Sequence, residues 1–326
     1  MAGTSLSMKD IENSSIRDVF RRALVSIGER VPEVVLLGAD AIGSTRGALF
    51  AKQFPERTFN FGIAEQEMVA AAAGFATCGK IPIATAYAFL LSMRACEQVR
   101  TDICYPNLNV KLMATHAGIS MATGGTTHHA TEDIAIMRSF ANLTIIVPAD
   151  ALETVKAVEV AVEHSGPVYL RMGRGEIPNV HSRDYEFVIG RSICMRAGGD
   201  VSVIACGTMV AEAIAAAESL EKEGIGARVI NMHTIKPLDQ EAVVAAALET
   251  GAIVTAEEHN IVGGLGEAVA GAVSEHAPVP VIRVGVRDCY CGIGPEDGLR
   301  RKLGLTSESI VSAVKRAVSL KSSRNR

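Results

Sequence analysis

A single carboxylate, Glu65, follows an apolar aromatic stretch and opens an Ala-rich helical stretch in the segment Phe59 to Glu67. Helix N-termini favour acidic side chains, so one interpretation is a first-turn glutamate with no further role. The other is a carboxyl group that is kept out of bulk water and holds or moves a proton for a ligand. The segment alone leaves both interpretations open.

Three histidines lie in Gly- and Thr-rich sequence after a buried apolar run: His116, and then His128 and His129 in the stretch GGTTHH. In open α/β sheets, ligands bind at the carboxyl ends of the strands, which is where this loop begins. Histidines there can donate to phosphates or sugar hydroxyls and move protons near neutral pH. A metal site would need a further suitable ligand in fixed geometry, which this spacing does not indicate.

Two arginines, Arg171 and Arg174, leave a predicted strand and enter a glycine turn. The guanidinium of Arg174 could bind a phosphate or carboxylate through paired donors, and a solvated surface arginine is the alternative. The sequence Gly264-Leu265-Gly266 lacks the third glycine of a dinucleotide loop, so it is weak evidence for nucleotide binding.

The elements that position these candidates follow from a regular alternation of short β-branched runs and Ala-rich helical stretches. The alternation predicts an α/β fold with two domains, each a mostly parallel sheet flanked by helices. The predicted strands are Val34 to Leu37, Ile81 to Thr85, Val110 to Ala114, Thr144 to Val147, Val168 to Leu170, Val201 to Ala205, Ala227 to Asn231, Ile253 to Glu257 and Val281 to Val284. The predicted helices are Glu65 to Cys78, Phe89 to Ile103, Thr131 to Phe140, Ala149 to His164, Met209 to Glu223, Gln240 to Glu249, Gly266 to Glu275 and Ser307 to Val318.

A polar stretch with a proline, Gly175 to Arg183, interrupts the alternation and is typical of a linker. We therefore divide the chain into a domain of residues 1–185 and a domain of residues 186–326. The apolar helix faces are more abundant than two modest domains need to cover themselves, which predicts an extensive subunit interface.

Composition excludes some partners. The net charge is −4 and no basic run reaches five residues, so we expect neither nucleic acid nor a membrane surface as partner. Seven widely spaced cysteines and the lack of a signal-peptide pattern predict a cytoplasmic protein with reduced thiols. The close pair Cys289 and Cys291 is a poor metal site, and a loop with two small buried thiols is the simpler interpretation.

Taken in order, these segments resemble the pyrimidine-binding and C-terminal domains of transketolases, especially the form split into two polypeptides. The likeness covers nearly the whole chain, and no single motif decides it. Its most specific stretches are FGIAEQ at 61–66, RACEQVR at 94–100, GPVYLRMGR at 166–174, NMHTIKPLD at 231–239 and EEHNIVGGLG at 257–266.

The resemblance implies thiamin diphosphate as cofactor and Glu65 as the glutamate that hydrogen-bonds its pyrimidine ring nitrogen. This role requires a carboxyl group out of bulk water, where its proton affinity rises. Phe59, Phe61, Ile63 and Met68 are expected to supply apolar surroundings. The implied reaction carries a two-carbon fragment from a ketose to an aldehyde.

The resemblance also implies roles for other side chains. Asp40 matches the family's acid near the thiazolium ring, and Tyr87 lies where an aromatic ring stacks on the aminopyrimidine. Leu90 and Met93 occupy positions that are often aromatic in single-chain members, which implies a looser cofactor pocket. The implied substrate contacts are Ser44, His116 and Arg174 for a sugar phosphate, and His128 near the reacting carbonyl and hydroxyls.

One departure from the family concerns the substrate. The loop usually carries an acid beside the sugar hydroxyls, whereas this chain has Gly124 at that position and no acid between Ala122 and His129. A missing acceptor leaves a sugar hydroxyl unpaired, so the donor and acceptor sugars stay open and include a modified or sulfonated sugar.

A second departure concerns the metal. The family holds the diphosphate through Mg²⁺ on a Gly-Asp-Gly motif of its N-terminal domain, and Gly199-Asp200-Val201 here lacks the second glycine. The resemblance therefore implies that a pyrophosphate-binding N-terminal subunit carries the Mg²⁺, and that the two chains form a heterotetramer. Two alternatives stay open: the β subunit of a 2-oxo acid dehydrogenase or another thiamin-dependent synthase, and a non-catalytic assembly subunit.

Overall fold

Short apolar runs, most of them fully buried, form the strands of two sheets. The computed structural model describes residues 15–175, 177–182 and 184–324. The strands of the first sheet are β1 (Val34–Gly38), β2 (Thr58–Asn60), β3 (Ile81–Tyr87), β4 (Lys111–Thr115), β5 (Thr144–Ile146), β6 (Val168–Arg171) and β10 (Thr234–Lys236). The strands of the second sheet are β7 (Ile193–Arg196), β8 (Val201–Ala205), β9 (Ala227–Asn231), β11 (Ile253–Asn260) and β12 (Val281–Val286).

Most neighbouring strands in both sheets are parallel. The first sheet has the order β10-β5-β6-β4-β3-β1-β2, and the second has the order β12-β11-β8-β9-β7. Only edge strands run the other way among the described residues, since β10 is antiparallel to β5 and β7 is antiparallel to β9. The predicted fold class, two mostly parallel sheets flanked by helices, is confirmed.

Helices connect the parallel strands and cover the sheets. They are α1 (Ile16–Arg30), α2 (Ala48–Gln53), α3 (Glu65–Thr77), α4 (Asp133–Arg138), α5 (Ala151–Glu163), α6 (Met209–Glu221), α7 (Gln240–Thr250), α8 (Leu265–His276), α9 (Glu296–Leu303) and α10 (Ser307–Arg324). Side-chain caps fix several of their starts: Ser15 accepts from the Asp18 amide before α1, and Asp150 accepts from the Glu153 amide before α5.

The predicted helix from Phe89 to Ile103 is not a regular α-helix. Its turns are Leu90–Arg94, Cys96–Gln98 and Val99–Cys104, and we call them together the π segment. Wide i→i+5 hydrogen bonds mark it, from the Ala95 amide to the Leu90 carbonyl at 3.1 Å and from the Tyr105 amide to the Arg100 carbonyl at 3.0 Å. Such turns occur mostly as local bulges and often lie at functional sites.

The two sheets share a hydrophobic core. One cluster of buried side chains includes Ile145 and Tyr169 from the first sheet together with Ile204 and Ile230 from the second. Strand β10, which lies beyond residue 185, pairs with β5 and so completes the first sheet from the second part of the chain. The division near residue 185 stays a prediction.

Two further expectations can be compared with the structure. Within residues 15–175, 177–182 and 184–324, no helix is both long and apolar enough to cross a membrane. All seven cysteines are free thiols, with Cys291 buried but Cys289 exposed, so the expectation of two buried thiols was wrong for Cys289.

Candidate active site

The predicted site residues gather at one edge of the first sheet. Asp40 follows β1, Glu65 follows β2, Tyr87 ends β3, His116 follows β4 and Arg174 follows β6. Because these strands are parallel, their carboxyl ends meet at the same edge, where open α/β sheets bind ligands. The topology thus brings together side chains that are up to about 130 positions apart in the sequence.

Glu65 is the first residue of α3, and its side chain is buried, with 2% exposed. Arg94 of the π segment donates from Nη1 to Glu65 Oε2 at 2.9 Å, and the Arg94 side chain is 48% exposed. Met68, on the same helix, is fully buried, whereas Ile63 is 77% exposed and its expected shielding role was wrong. The buried carboxylate therefore has its charged partner on the solvent side.

The backbone beside Glu65 is fixed by Asn60. Its Oδ1 accepts from the Asp40 amide at 2.9 Å and from the Gly62 amide at 3.2 Å. Asp40 and Gly62 both have positive φ, of 57° and 68°, which is unfavourable for Asp40 but readily adopted by glycine, and the Asn60 amide oxygen holds both backbone turns. These two hydrogen bonds fix the position of the exposed Asp40 relative to the start of α3.

Tyr87, Ser44 and His116 form one continuous wall. The Tyr87 hydroxyl donates to Ser44 Oγ at 3.0 Å, and Ser44 donates to the Ala41 carbonyl at 3.0 Å. The Tyr87 and His116 rings have centroids 4.3 Å apart. Leu90, which is 8% exposed, lies buried at the start of the π segment.

His128 lies beside Phe89. Its ring centroid is 5.3 Å from that of Phe89, in an edge-on arrangement, and its Nδ1 is 3.0 Å from Thr127 Oγ1. It is partly exposed, whereas the adjacent His129 is buried, and burial lowers the pKa of His129. Of these two imidazoles, His128 is the one accessible to a ligand.

His116 has a strained backbone and a perturbed imidazole. Its φ is 58°, its side chain is buried, and its Nδ1 lies 2.9 Å from Thr115 Oγ1. Burial, followed by the positive charges of Arg17, Arg174 and Arg46, lowers the pKa of His116 to about 3. The ring is therefore neutral near pH 7, so it can hydrogen-bond a ligand but is not a proton carrier near neutrality.

Arginines line a cleft of about 340 Å³ beside His116. Arg17 Nε donates to the Arg174 carbonyl at 3.2 Å, and Arg46 Nη2 lies 3.9 Å from Asp18 Oδ1. The buried Nε of Arg46 has no hydrogen-bond partner within the described part of the chain. The residues lining the cleft are Ser15, Arg17, Asp18, Arg46, Ser120, Ala122, Arg174, Gly175 and Glu296. Guanidinium groups in this arrangement fit an anionic group.

The sequence analysis missed Arg17, Arg46 and Glu296 as site residues. Arg17 lies in the first turn of α1, Arg46 in the loop before α2 and Glu296 at the start of α9. None belongs to a local motif that points to chemistry. Only the three-dimensional arrangement brings their charges together.

The second domain supports the loop of residues 116–129, which we call the histidine loop. Glu258 Oε1 accepts from the Ile119 amide at 2.8 Å, and the Gly292 amide donates to Thr126 Oγ1 at 3.0 Å. Gly118 has φ of 60°, and a Cβ there would lie 2.2 Å from Glu258 Oε1. This position therefore requires glycine for both backbone conformation and space.

The residues fit one end of thiamin diphosphate. A buried carboxylate whose charged partner is half exposed suits an aminopyrimidine, and Tyr87 at the same edge of the sheet offers an aromatic ring. Within the described ranges, no group of three or more His, Cys, Asp or Glu side chains is placed to hold a metal ion. Asp200, of the incomplete Gly-Asp motif, instead accepts from the Gly226 amide at 2.7 Å and so has a structural role in a turn.

Both domains match families of known proteins. Residues 12–179 match the model of the transketolase pyrimidine binding domain, and residues 190–310 match that of the transketolase C-terminal domain. The 6-deoxy-6-sulfo-D-fructose transketolase subunit of Clostridium sp. (strain MSTE9) is 41% identical, over 93% of this chain and 94% of that protein. An apulose-4-phosphate transketolase subunit of Actinobacillus succinogenes is 39% identical, over 86% of this chain and 90% of that protein.

A solved structure is similarly close. It is described as a split gene transketolase, an inactive β4 tetramer. It is 48% identical, has a TM-score of 0.87, and the match covers 94% of this chain and 99% of that chain.

Proposed function

The chain belongs to the transketolase family, and we propose that it is one of two subunits of a thiamin-diphosphate-dependent transketolase. The proposed reaction transfers a two-carbon ketol unit from a ketose or ketose phosphate to an aldehyde. Thiamin diphosphate, when bound, supplies the nucleophilic carbon that breaks and remakes the carbon–carbon bond. The protein's task is to bind, orient and move protons.

The observation that carries this proposal is the buried carboxylate of Glu65 at the carboxyl edge of the sheet. A carboxyl group in this position can hold a proton at a pyrimidine ring nitrogen, because water is kept away from it. Its present partner, Arg94, approaches from the solvent side and lies on an irregular segment. We infer that a ligand ring takes the place of the Arg94 guanidinium against Glu65.

The remaining side chains fit subsidiary roles. Tyr87 and Leu90 are proposed to bind the aminopyrimidine face, and Asp40 to lie near the thiazolium ring. His128, accessible beside Phe89, is proposed to donate to the reacting carbonyl and hydroxyls of the sugar. Ser44, His116 and Arg174 are proposed to contact the far end of the substrate, where the arginine-lined cleft begins.

The cleft suits an anionic end on the sugar. Two of the relatives are named for their sugars, a phosphorylated sugar in one case and a sulfonated sugar in the other. The phosphate and the sulfonate form an anionic tail on the sugar, and a guanidinium recognises such an anion through paired N–H donors. We therefore propose a sugar carrying a phosphate or sulfonate as substrate.

A second chain is proposed to complete the site. The N-terminal transketolase subunit would bind the diphosphate and hold the Mg²⁺, and the two kinds of chain would form a heterotetramer. The similar structure with only β chains is described as inactive, which supports the need for a partner. The donor set for Mg²⁺ is expected on that partner.

The test is Glu65→Gln in the complex of this chain with its pyrophosphate-binding partner. Glutamine keeps the shape but cannot take and return a proton, so kcat should fall at least about 100-fold. Glu67→Gln is the matched control, because Glu67 lies in the same first turn but is exposed. Steady-state turnover of ketose phosphate donors with aldehyde acceptors is the measurement.

The same assay separates the alternatives. Turnover of a 2-oxo acid instead of a ketose would support a dehydrogenase β subunit or another thiamin-dependent synthase. Unchanged turnover of the Glu65→Gln complex would favour a non-catalytic assembly subunit and contradict the proposal.

A further inference from the structure

An acid from the second domain lies in the arginine-lined cleft. Glu296, the first residue of α9, lines the cleft together with Arg17, Arg46 and Arg174. A Cβ built on Gly175 would lie 3.6 Å from each of the two carboxylate oxygens of Glu296. The second domain therefore reaches the edge of the site that the first domain builds.

The histidine loop supplies no acid to this cleft. It contributes Ser120 and Ala122 to the lining, and Gly124 occupies the position where the family resemblance led us to expect a carboxylate. The acids among the described lining residues are Asp18, which already pairs with Arg46 at 3.9 Å, and Glu296. No ion pair within 4 Å involving Glu296 is found in the described part of the chain.

Charged groups of both signs surround the Glu296 carboxyl. Burial is the largest influence and, with the charges of Glu258 and Asp297, raises the pKa of Glu296 to about 7, while Arg300 and Arg174 act in the opposite direction. Across the cleft it faces the charged groups of α1 and of the loop before α2, which are Arg17, Asp18 and Arg46. The carboxyl thus changes its charge close to neutral pH.

That change alters the charge of the whole cleft. With Glu296 ionised, the three arginines oppose two carboxylates among the described lining residues and leave one net positive charge. A phosphate monoester carries about −1.5 to −2 at pH 7, with a second pKa of about 6, whereas a sulfonate stays a monoanion. One extra negative charge in the cleft therefore weakens the binding of a phosphate more than the binding of a sulfonate.

We propose that Glu296 is a specificity-determining residue that selects the charge of the substrate's anionic tail, favouring a monoanionic sulfonate over a dianionic phosphate when it is ionised. The inference rests on the proposed function for the location of the tail. It assigns to the second domain a direct part in substrate choice, through one side chain on α9.

The test compares two probes, fructose 6-phosphate and 6-deoxy-6-sulfofructose, with the complex of this chain and its pyrophosphate-binding partner. At pH 8, Glu296→Gln should raise the ratio of kcat/KM for phosphate over sulfonate by about fivefold, as removal of one nearby unit charge predicts. In the wild-type complex this ratio should fall between pH 6.5 and 8.5, whereas in the variant it should not fall and should rise only slightly as the last of the phosphate ionises. The ratio cancels titrations that affect both substrates equally.

Asp297→Asn is the matched control. Asp297 lies in the same first turn of α9 but is exposed and lines a neighbouring cleft instead. At pH 8, where Glu296 is largely ionised with or without Asp297, this variant should leave the ratio unchanged, because the helix end loses the same charge while the tail cleft keeps its own charges. An equal shift in both variants would overturn the inference.

Calorimetric binding of the same two probes separates this inference from the proposed function. Binding that shifts in Glu296→Gln without any turnover would support the charge selection and contradict the transketolase activity. Turnover with an unchanged preference between phosphate and sulfonate in Glu296→Gln would support the transketolase activity and contradict the charge selection. Failure of both probes to bind the complex would overturn the inference.

Discussion

At the scale of single residues, the Glu65–Arg94 pair determines the state of the site before a ligand enters. A carboxylate with 2% exposure needs a hydrogen-bonded counter-charge, and Arg94 Nη1 supplies it at 2.9 Å. The arginine remains 48% exposed, so most of the desolvation cost falls on the glutamate. The pair is therefore asymmetric, with a fixed buried partner and a movable outer one.

This asymmetry predicts the effect of removing the arginine. Arg94→Met should lower the free energy of unfolding at pH 7 by about 1–3 kcal/mol, because it leaves a buried charge without its hydrogen bond. Urea unfolding of the chain measures the change. The double variant Glu65→Gln with Arg94→Met should lose less than the sum of the two single variants.

Arg100→Met provides the control, because Arg100 lies on the same π segment and is exposed. Its loss should leave the midpoint of unfolding almost unchanged. Equal stability of Arg94→Met and the wild type would mean that the ion pair contributes nothing to the fold.

The site residues that could be predicted from the sequence are those that follow a clear strand pattern along the chain. Glu65 follows an aromatic run and His116 follows a buried strand, so their strand-end positions could be predicted. Arg94 was part of a recognised stretch, but its contact with Glu65 spans 29 positions and depends on the π turns. The neutral state of His116 depends on burial and on Arg17 and Arg46, which no local pattern connects to it.

At the scale of elements, a buried cluster fastens the segment between the domains to helix α5. Asp150 Oδ2 accepts from the Val180 amide, the His181 amide and His181 Nδ1 at 2.8–2.9 Å. The Tyr185 hydroxyl donates to Glu153 Oε1 at 2.6 Å, and Asn231 of β9 donates to the same oxygen at 2.9 Å. His181, which lies in a stretch whose sequence is typical of a linker, is therefore held by both domains, because Asn231 Nδ2 also lies 3.1 Å from its Nε2.

The ionisation of this cluster predicts a pH dependence. Burial raises the pKa of Glu153 to about 7. Burial acts to lower the pKa of His181, but its hydrogen bond with Asp150 and the charges of Glu153 and Asp150 raise it. Both groups hold a proton more tightly when folded, so their contribution is complete below their unfolded pKa values and is lost as pH rises through the folded ones.

Glu153→Gln should therefore flatten the loss of stability between about pH 5 and pH 8. It removes the raised carboxyl and also the charge that supports protonated His181. Urea unfolding at several pH values gives the slope, which a constant destabilisation by the glutamine does not affect. Glu163→Gln, at the exposed end of α5, should keep the wild-type slope, and an identical slope in Glu153→Gln would refute the assignment.

The elements that could be predicted are those with a strong burial pattern. Strands β1, β4 and β8 are buried at every position, which matches mainly apolar runs in the sequence that are interrupted only by single polar residues such as Lys111 and Ser202. The edge strands β7 and β10 are short and only partly apolar, so they carry no such signal. Helix α9 is highly charged and has a single buried residue, Leu299, and it was missed for the same reason.

At the scale of the whole molecule, a buried polar network joins the two sheets behind the site. Arg171 of β6 donates through Nε to Asp133 at 2.7 Å and through Nη2 to the Ala130 and Glu258 carbonyls at 3.0 Å. Tyr169 also donates to Asp133, at 2.8 Å. Because Glu258 in turn supports the histidine loop, the second domain holds the edge that carries the candidate site in position, although it contributes few side chains to it.

The proposed site has groups for only one end of the cofactor, and this predicts how the cofactor binds. In the proposed site, Glu65 would offer its carboxylate and Tyr87 an aromatic ring to the pyrimidine, while Arg94 occupies that carboxylate in the chain by itself. A diphosphate with its Mg²⁺ would have to find oxygen ligands elsewhere, since Mg²⁺ favours carboxylates and water. Binding to the lone chain must then displace Arg94 without the gain from the metal end.

We therefore expect isothermal calorimetry to detect no tight binding of thiamin diphosphate and Mg²⁺ by the isolated chain. With the N-terminal subunit present, binding should tighten at least about 100-fold, which corresponds to about 2.7 kcal/mol. Arg94→Met should narrow this gap, because the pyrimidine no longer competes with a guanidinium for Glu65. Tight, Mg²⁺-dependent binding by the wild-type chain alone would contradict the division of the site between two polypeptides.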